Sequence, residues 1–480
     1  MNSLTFSNKK IFIICSTFIF ICCGFLFLKI NYLFLLPAVI GFALIFVLKP
    51  DTIWTSIAFF TPLSINPNDV ELGKLSVAFP TEPLLIILVI LFFYISLNKI
   101  GVDKKILYHP LSILIYIYFT WLLVTTFTST HKVVSAKFLL SKIWFIFPCY
   151  FLGMQYFKQE GKLVQFLKLF TISISIVAAY NFFHLSTLGF EDKPSQWTMR
   201  PFFKDHTILG AILGLSIPIC LGVYRLEKTK SLKYFFLICF IFQLVCLIVT
   251  FSRAAWASII ASLLTLIILK LGIRFKYILS ILLIVLIYLI SNINTIMMNL
   301  ENNKVASSDD LVENVESISN ISTDASNLER INRWASAIEM WKEKPIFGFG
   351  PGTYMFEYAP YQLSINQTII STNFGDVGNA HSEYLGPLAE TGLIGLIIFL
   401  TLFVMSFYFG FNAYFNSTKP EHKILIATAL CSLSTYYLHG LLNNFLDSDK
   451  AAVIFWTLTA IIVFFHIETK NTTKQNISLN

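Results

Sequence analysis

The sequence predicts an all-α polytopic membrane protein of about 14 transmembrane helices, with one large extracytoplasmic loop that contains short helices. Three observations carry that prediction. Hydrophobic residues make up 56% of the 480-residue chain and charged residues only 13%, whereas a soluble domain is about 25% charged; mean hydropathy is +0.71. The apolar residues gather in runs close to the roughly 20 residues that cross a bilayer. One long polar stretch, from Ser291 to Ser382, interrupts them.

Spans are expected near 11–29, 32–48, 52–64, 82–97, 109–128, 138–157, 163–184, 205–224, 232–250, 254–270, 275–292, 385–411, 423–442 and 450–467. Lys9 and Lys10 precede the first run as in a signal peptide. No small-residue cleavage site follows and more spans come after, so this reads as an uncleaved first helix. The third run, 52–64, is short enough for a partial or re-entrant piece.

The net charge of +8 comes from 35 basic and 27 acidic residues. In such a chain the excess reports loop bias, and no basic stripe interleaved with aromatics points to nucleic acid. Alternate connections hold Lys99, Lys104 and Lys105, then Lys158 and Lys162, then Arg225, Lys228, Lys230 and Lys233, then Lys270, Arg274 and Lys276, then Lys419 and Lys423. The other connections are sparser and include Asp69, Glu71, Asp447 and Asp449. The positive-inside rule therefore places both termini in the cytoplasm and the long loop outside. The chain divides into a bundle at 1–292, a loop at 293–383, a three-helix segment at 384–470 and a tail at 471–480. All eight cysteines lie in apolar runs without a C-x-x-C pair, which suits small buried hydrophobes.

Within the loop, 301–327 is rich in Ser, Asn, Asp and Glu and reads as weakly structured. Ser326-x-x-Glu329 fits a capping box that opens a helix ending at Pro345. Arg330, Trp334, Ile338 and Trp341 share one face, as in a helix lying flat at a membrane surface.

His381 sits where the loop meets the twelfth span, a position suited to a general base near neutral pH. Arg330 and Arg333 are one turn apart, and guanidinium forks clamp a diphosphate bidentately. Arg253 sits between two apolar runs, where an arginine costs a few kcal/mol or more unless it faces a polar cavity. Arg200, Lys204, Asp205 and His206 lie on the same outer side as weaker candidates. Glu383, Glu390 and Asp376 are carboxylates placed to pair with the arginines or to orient His381. Gly348-x-Gly350-x-Gly352 has neither the preceding strand nor the following Lys-Ser/Thr of a nucleotide loop, and reads as a turn allowing close backbone approach. The outer loops show no metal-ligand set, and no cofactor is called for.

Three pieces together resemble the O-antigen ligase and polymerase family: Ser252-Arg253-Ala254-Ala255-Trp256; Arg330 to Gly352; and Asn379 to Leu385 with Glu390-Thr391-Gly392 following. The stretch from Phe203 to Pro218 is a fainter fourth. The resemblance implies a multi-pass bacterial inner-membrane glycosyltransferase with a periplasmic loop. It implies an essential histidine at His381 and essential arginines at Arg253 and at Arg330 or Arg333. Trp334, Glu383, Tyr384 and Glu390 would support them, and Arg200 would join the diphosphate site. Ser382 stands where the family has Asn.

The implied reaction is metal-independent, inverting transfer from a polyprenyl-diphosphate-linked glycan to an acceptor hydroxyl. Three acceptors fit: the lipid A core in a ligase, another lipid-linked glycan in a polymerase, and a protein Ser or Thr in an oligosaccharyltransferase. A secondary transporter is the alternative from another class; paired inverted halves would favour it. A non-catalytic assembly subunit is a third reading.

Overall fold

The computed structural model describes residues 51–66, 77–98, 103–292, 325–363, 371 and 378–479. The helices are α1 (Asp51–Leu63), α2 (Thr81–Leu97), α3 (Pro110–Phe127), α4 (Lys132–Ile146), α5 (Glu160–Ser186), α6 (His206–Leu226), α7 (Lys230–Ile248), α8 (Arg253–Lys270), α9 (Phe275–Ser291), α10 (Ala325–Glu343), α11 (Leu385–Asn416), α12 (Pro420–His439) and α13 (Asp449–Leu479). α4 runs on through a π turn at Phe147–Leu152 into Gly153–Tyr156. Every expected span from 52–64 onward coincides with a helix, and α10 is the loop helix. The first two expected spans lie outside the described residues, as does most of 301–327.

Among the described residues eight helices are long and apolar enough to cross a membrane: the protein is an all-α, multi-pass membrane protein. α1 is shorter, with 13 residues, or about 20 Å against a hydrocarbon core of about 30 Å. α12 has length but not apolarity, and its packing explains why. It lies against α6, α8, α11 and α13, so Ser432, Ser434, Thr435 and His439 are buried in protein. By contrast α7 and α9 expose Ile238, Ile241, Ile281 and Ile284, the pattern of a lipid-facing surface.

Contacts between connections sort into two ends of the bundle, as the charge alternation predicts. At one end Thr130 meets Phe349, His131 meets Glu357, and Glu383 meets Gly440. At the other, Lys158 pairs with Asp103, Lys162 with Asp51, and Lys168 with Glu227.

The loop is stitched to the bundle through a break in α11. Gly392 has φ 70° and ψ −171°, outside helical values, in a region open essentially to glycine alone. The break releases backbone groups that a continuous helix would consume. The Ala389 carbonyl accepts from Phe349 N at 3.1 Å, the Glu390 carbonyl from Gly350 N at 2.8 Å, and Leu393 N donates to the Pro345 carbonyl at 2.9 Å. The bend glycines all have positive φ, and a Cβ on Gly348 would come within 2.6 Å of the Glu390–Thr391 backbone. Gly348 to Gly352 is thus the close-approach turn. Its far side is held by Thr130 N on the Phe349 carbonyl at 3.0 Å and by Ser135 Oγ on the Pro351 carbonyl at 2.8 Å.

A Cβ on Gly392 would meet the Ile346 carbonyl oxygen at 2.0 Å. Gly392→Ala is expected to destabilise the protein by about 1–3 kcal/mol and to expose the bend to protease. An unchanged melting temperature in detergent together with an unchanged digestion pattern would contradict this account of the break.

Candidate active site

The bend carries α10 back across the end of the bundle and onto the His381 segment. His381 has φ 48°, an uncommon conformation for a residue with a side chain. Two bonds hold it there: its N–H donates to Asn379 Oδ1 at 3.0 Å, and its carbonyl accepts from Trp334 Nε1 at 3.3 Å. The ring hydrogen-bonds the side chain of Asn443. Asn443, itself buried, also meets His439 Nε2 through Nδ2 at 3.1 Å.

Charges from separate parts of the chain meet at this point. The Arg330 guanidinium acts on the imidazoles of His381, His206 and His439. Arg253, at the start of α8, acts on His206 as well. Asp205 acts on both His206 and His439, and it caps α6 by accepting from Thr207 N at 2.8 Å and Ile208 N at 3.2 Å. Gly210 brings the two helix starts together: a Cβ there would lie 2.9 Å from those of Ser252 and Ala255. Part of the His381 surface stays open, but desolvation of the ring, then the Arg330 and Arg333 charges, lower its pKa to about 4, against smaller opposing effects of Asn443 and Glu329. At neutral pH the imidazole is therefore uncharged and able to accept a proton.

Residues 238–400 match the family model described as O-antigen ligase. Over that stretch, about a third of the chain, the protein is similar to O-antigen ligases. No curated protein matches the chain. The matched residues include Arg253, Arg330, Arg333 and His381, while His206, His439 and Asn443 lie beyond them.

The site separates the two loop arginines. Arg333 is 3% exposed; its Nε donates to Glu329 Oε1 at 2.6 Å and its guanidinium lies 4.0 Å from the centre of the Tyr358 ring. Its carbonyl accepts from Tyr354 OH at 2.8 Å. These contacts build the loop's own core with Ala337, Met340 and Phe349. Glu329, expected to close a capping box, is taken up by Arg333 and by Ser371. Arg330, one turn earlier on α10, donates to Asn327 Oδ1 at 3.2 Å and acts on His381, His206 and His439.

The other sequence candidates divide differently. Trp334 supports His381 directly, as above. Glu383 neither pairs with an arginine nor orients His381: its Oε1 accepts from Tyr436 OH at 2.6 Å, Phe445 N at 2.7 Å and Leu446 N at 2.9 Å. Tyr384 OH donates to the Tyr437 carbonyl at 3.0 Å. Glu390 accepts from Tyr354 N at 3.0 Å and so holds the glycine bend. Each of the three joins loop to bundle. Arg200 is exposed, its Nε donating to the Lys204 carbonyl at 3.1 Å; no described contact brings it to His381. Asp376 lies outside the described residues.

Sequence reasoning missed Asn443, His439 and Lys142. The last is a lysine within an expected span, ordinarily a flag for function. Lys142 Nζ is buried against Asp447 Oδ1 at 2.7 Å and the Leu446 carbonyl at 2.9 Å. It lines a cavity of about 150 Å³ with Asn379, Ala380 and Glu383 from the His381 segment and apolar Leu114, Phe399 and Leu402. Among the described residues no group of three or more His, Cys, Asp or Glu is placed to hold a metal ion.

Removing a positive neighbour favours the protonated imidazole, so Arg330→Gln is expected to raise the His381 pKa from about 4 towards the ordinary 6.5. Arg200→Gln is expected to leave it in place. Histidine NMR titration of the two variants measures both shifts, and an unmoved His381 in Arg330→Gln would contradict the geometry described.

Proposed function

We propose that the protein transfers a glycan from a polyprenyl-diphosphate carrier to an acceptor hydroxyl at the periplasmic face of a bacterial inner membrane, with the lipid A core as acceptor. The observation that carries this reading is the convergence of Arg253 and Arg330, from different segments, on one imidazole cluster that includes His381. Arg330, which acts on both His381 and His206, and Arg253, which acts on His206, supply positive charge where a diphosphate would depart, and neutral His381 a base where a hydroxyl would lose its proton. The cavity beside the His381 segment has mostly apolar walls with Lys142, Glu383, Glu390 and Asp447 among them, and the apolar part suits the tail of a lipid-linked donor.

In the proposed step the acceptor oxygen attacks the anomeric carbon in line with the bond to the carrier. The acceptor proton passes to His381, the new glycosidic C–O bond forms, and the C–O bond to phosphate breaks. The polyprenyl diphosphate leaves with that electron pair, held by Arg330 and Arg253, and the anomeric centre inverts. No part of the step is routed through a metal. Donor binding also tunes the base: an anionic diphosphate between the arginines cancels the charge that depresses His381, so its basicity rises once substrate is bound. The O-antigen ligase description of the matching family favours the lipid A core over a second lipid-linked glycan or a protein hydroxyl.

Purified protein incubated with a lipid-diphosphate glycan and each of the three acceptors tests the reading. His381→Ala is expected to lower transfer by about 10²-fold or more with membrane insertion and melting temperature intact. Arg330→Gln is expected to lose transfer, and Arg200→Gln to retain it. Full activity in His381→Ala would remove the base assignment. Uptake of substrate into proteoliposomes without any glycosidic product would replace the transferase reading with a transporter.

A further inference from the structure

The end of the bundle opposite the His381 loop carries a second cavity, of about 220 Å³, among α6, α7, α8 and α12. Its walls are mostly apolar, with Pro218, Leu244, Ile259 and Leu263 among them; Ser262 and Thr428 add hydroxyls. Three cations stand at its mouth: Arg225 in the last turn of α6, Lys270 at the end of α8, and Lys423 in the first turn of α12. Some other cations at this end are paired, Lys158 with Asp103, Lys162 with Asp51, Lys168 with Glu227 and Lys419 with Glu468. Arg225, Lys270 and Lys423 have no carboxylate partner among the described residues. Glu227, two residues from Arg225, is occupied by Lys168 and by Thr229 N. Lys423 has only the Tyr414 ring, 5.8 Å from Nζ.

Helix dipoles and the positive-inside bias account for isolated cations at helix ends. They do not account for three uncompensated cations ringing a deep apolar groove. We propose that this groove binds one anionic phospholipid, with an acyl chain between α7, α8 and α12 and the phosphate held by Arg225, Lys270 and Lys423. The chemistry at each end fits only an amphiphile: the walls offer few hydrogen-bonding partners to a sugar or base, and the mouth selects negative charge. The site is independent of the glycosyl-transfer reading.

Native mass spectrometry of the full-length detergent-solubilised protein tests it, with phosphatidylglycerol, phosphatidylcholine of the same chains, and inorganic phosphate as probes. One phosphatidylglycerol is expected to be held at least about tenfold more tightly than phosphatidylcholine. Arg225→Gln/Lys270→Gln/Lys423→Gln is expected to abolish that preference. Leu263→Trp, which fills the groove, is expected to weaken both lipids. A preference that survives the triple substitution overturns the proposal. So does undiminished binding in Leu263→Trp, which would mean surface headgroup contact alone, or inorganic phosphate protecting against heat as well as phosphatidylglycerol does, which would mean a simple anion site. Lys270→Gln, at the exposed end of α8, carries the same test should the triple variant fail to fold: an unweakened preference there also counts against the site.

Discussion

The arrangement of this protein depends on one interrupted helix. An unbroken α11 would use the Ala389 and Glu390 carbonyls internally, and the loop would find no backbone partners at the surface of the bundle. The left-handed residue at Gly392 frees those groups, and Phe349, Gly350 and Pro345 take them up. Once the bend is fixed, the direction of α10 is fixed with it, and Trp334 comes to rest on the His381 carbonyl. Backbone hydrogen bonds at the edge of a membrane are well suited to this task, because each one left unmade there is costly.

A second consequence is the division of labour between two arginines one turn apart. Burying a guanidinium demands a partner, and Arg333 has one in Glu329 and a ring face in Tyr358. It is consumed in making the loop a rigid object. Arg330 acts on His381 and also on His206 and His439, and Arg253 adds positive charge at His206. Desolvation and neighbouring positive charge keep His381 neutral.

Much of the architecture was legible in the sequence, because hydrophobic run length is set by bilayer thickness and basic residues mark one side. The run 423–442 could be placed, but its serines and threonines could not be assigned to helix contacts until α6 and α8 were seen against them. His381, Arg253 and Arg330 were legible as polar residues at apolar boundaries. The separate roles of Arg330 and Arg333 were not, since spacing alone puts both on nearby faces. Glu383 and Glu390 looked like partners for arginine and proved to be partners for backbone N–H groups. Asn443 was invisible for a simpler reason: it is a short polar residue just past a helix end, and its importance comes from His381, far away in sequence, as well as nearby His439.

The enclosure of α12 by its neighbours bears on biogenesis. Its hydroxyl-bearing segment is a poor candidate for spontaneous partition out of the translocon as a solitary span, since lipid offers nothing to those side chains. Its retention in the bilayer is tied to α6 and α8 having entered first, which chain order ensures, and Thr428 lying against Gly222 marks where the late arrival locks in. A ribosome that stalled before α13 would leave this helix with one flank uncovered, a natural signal for quality-control proteolysis.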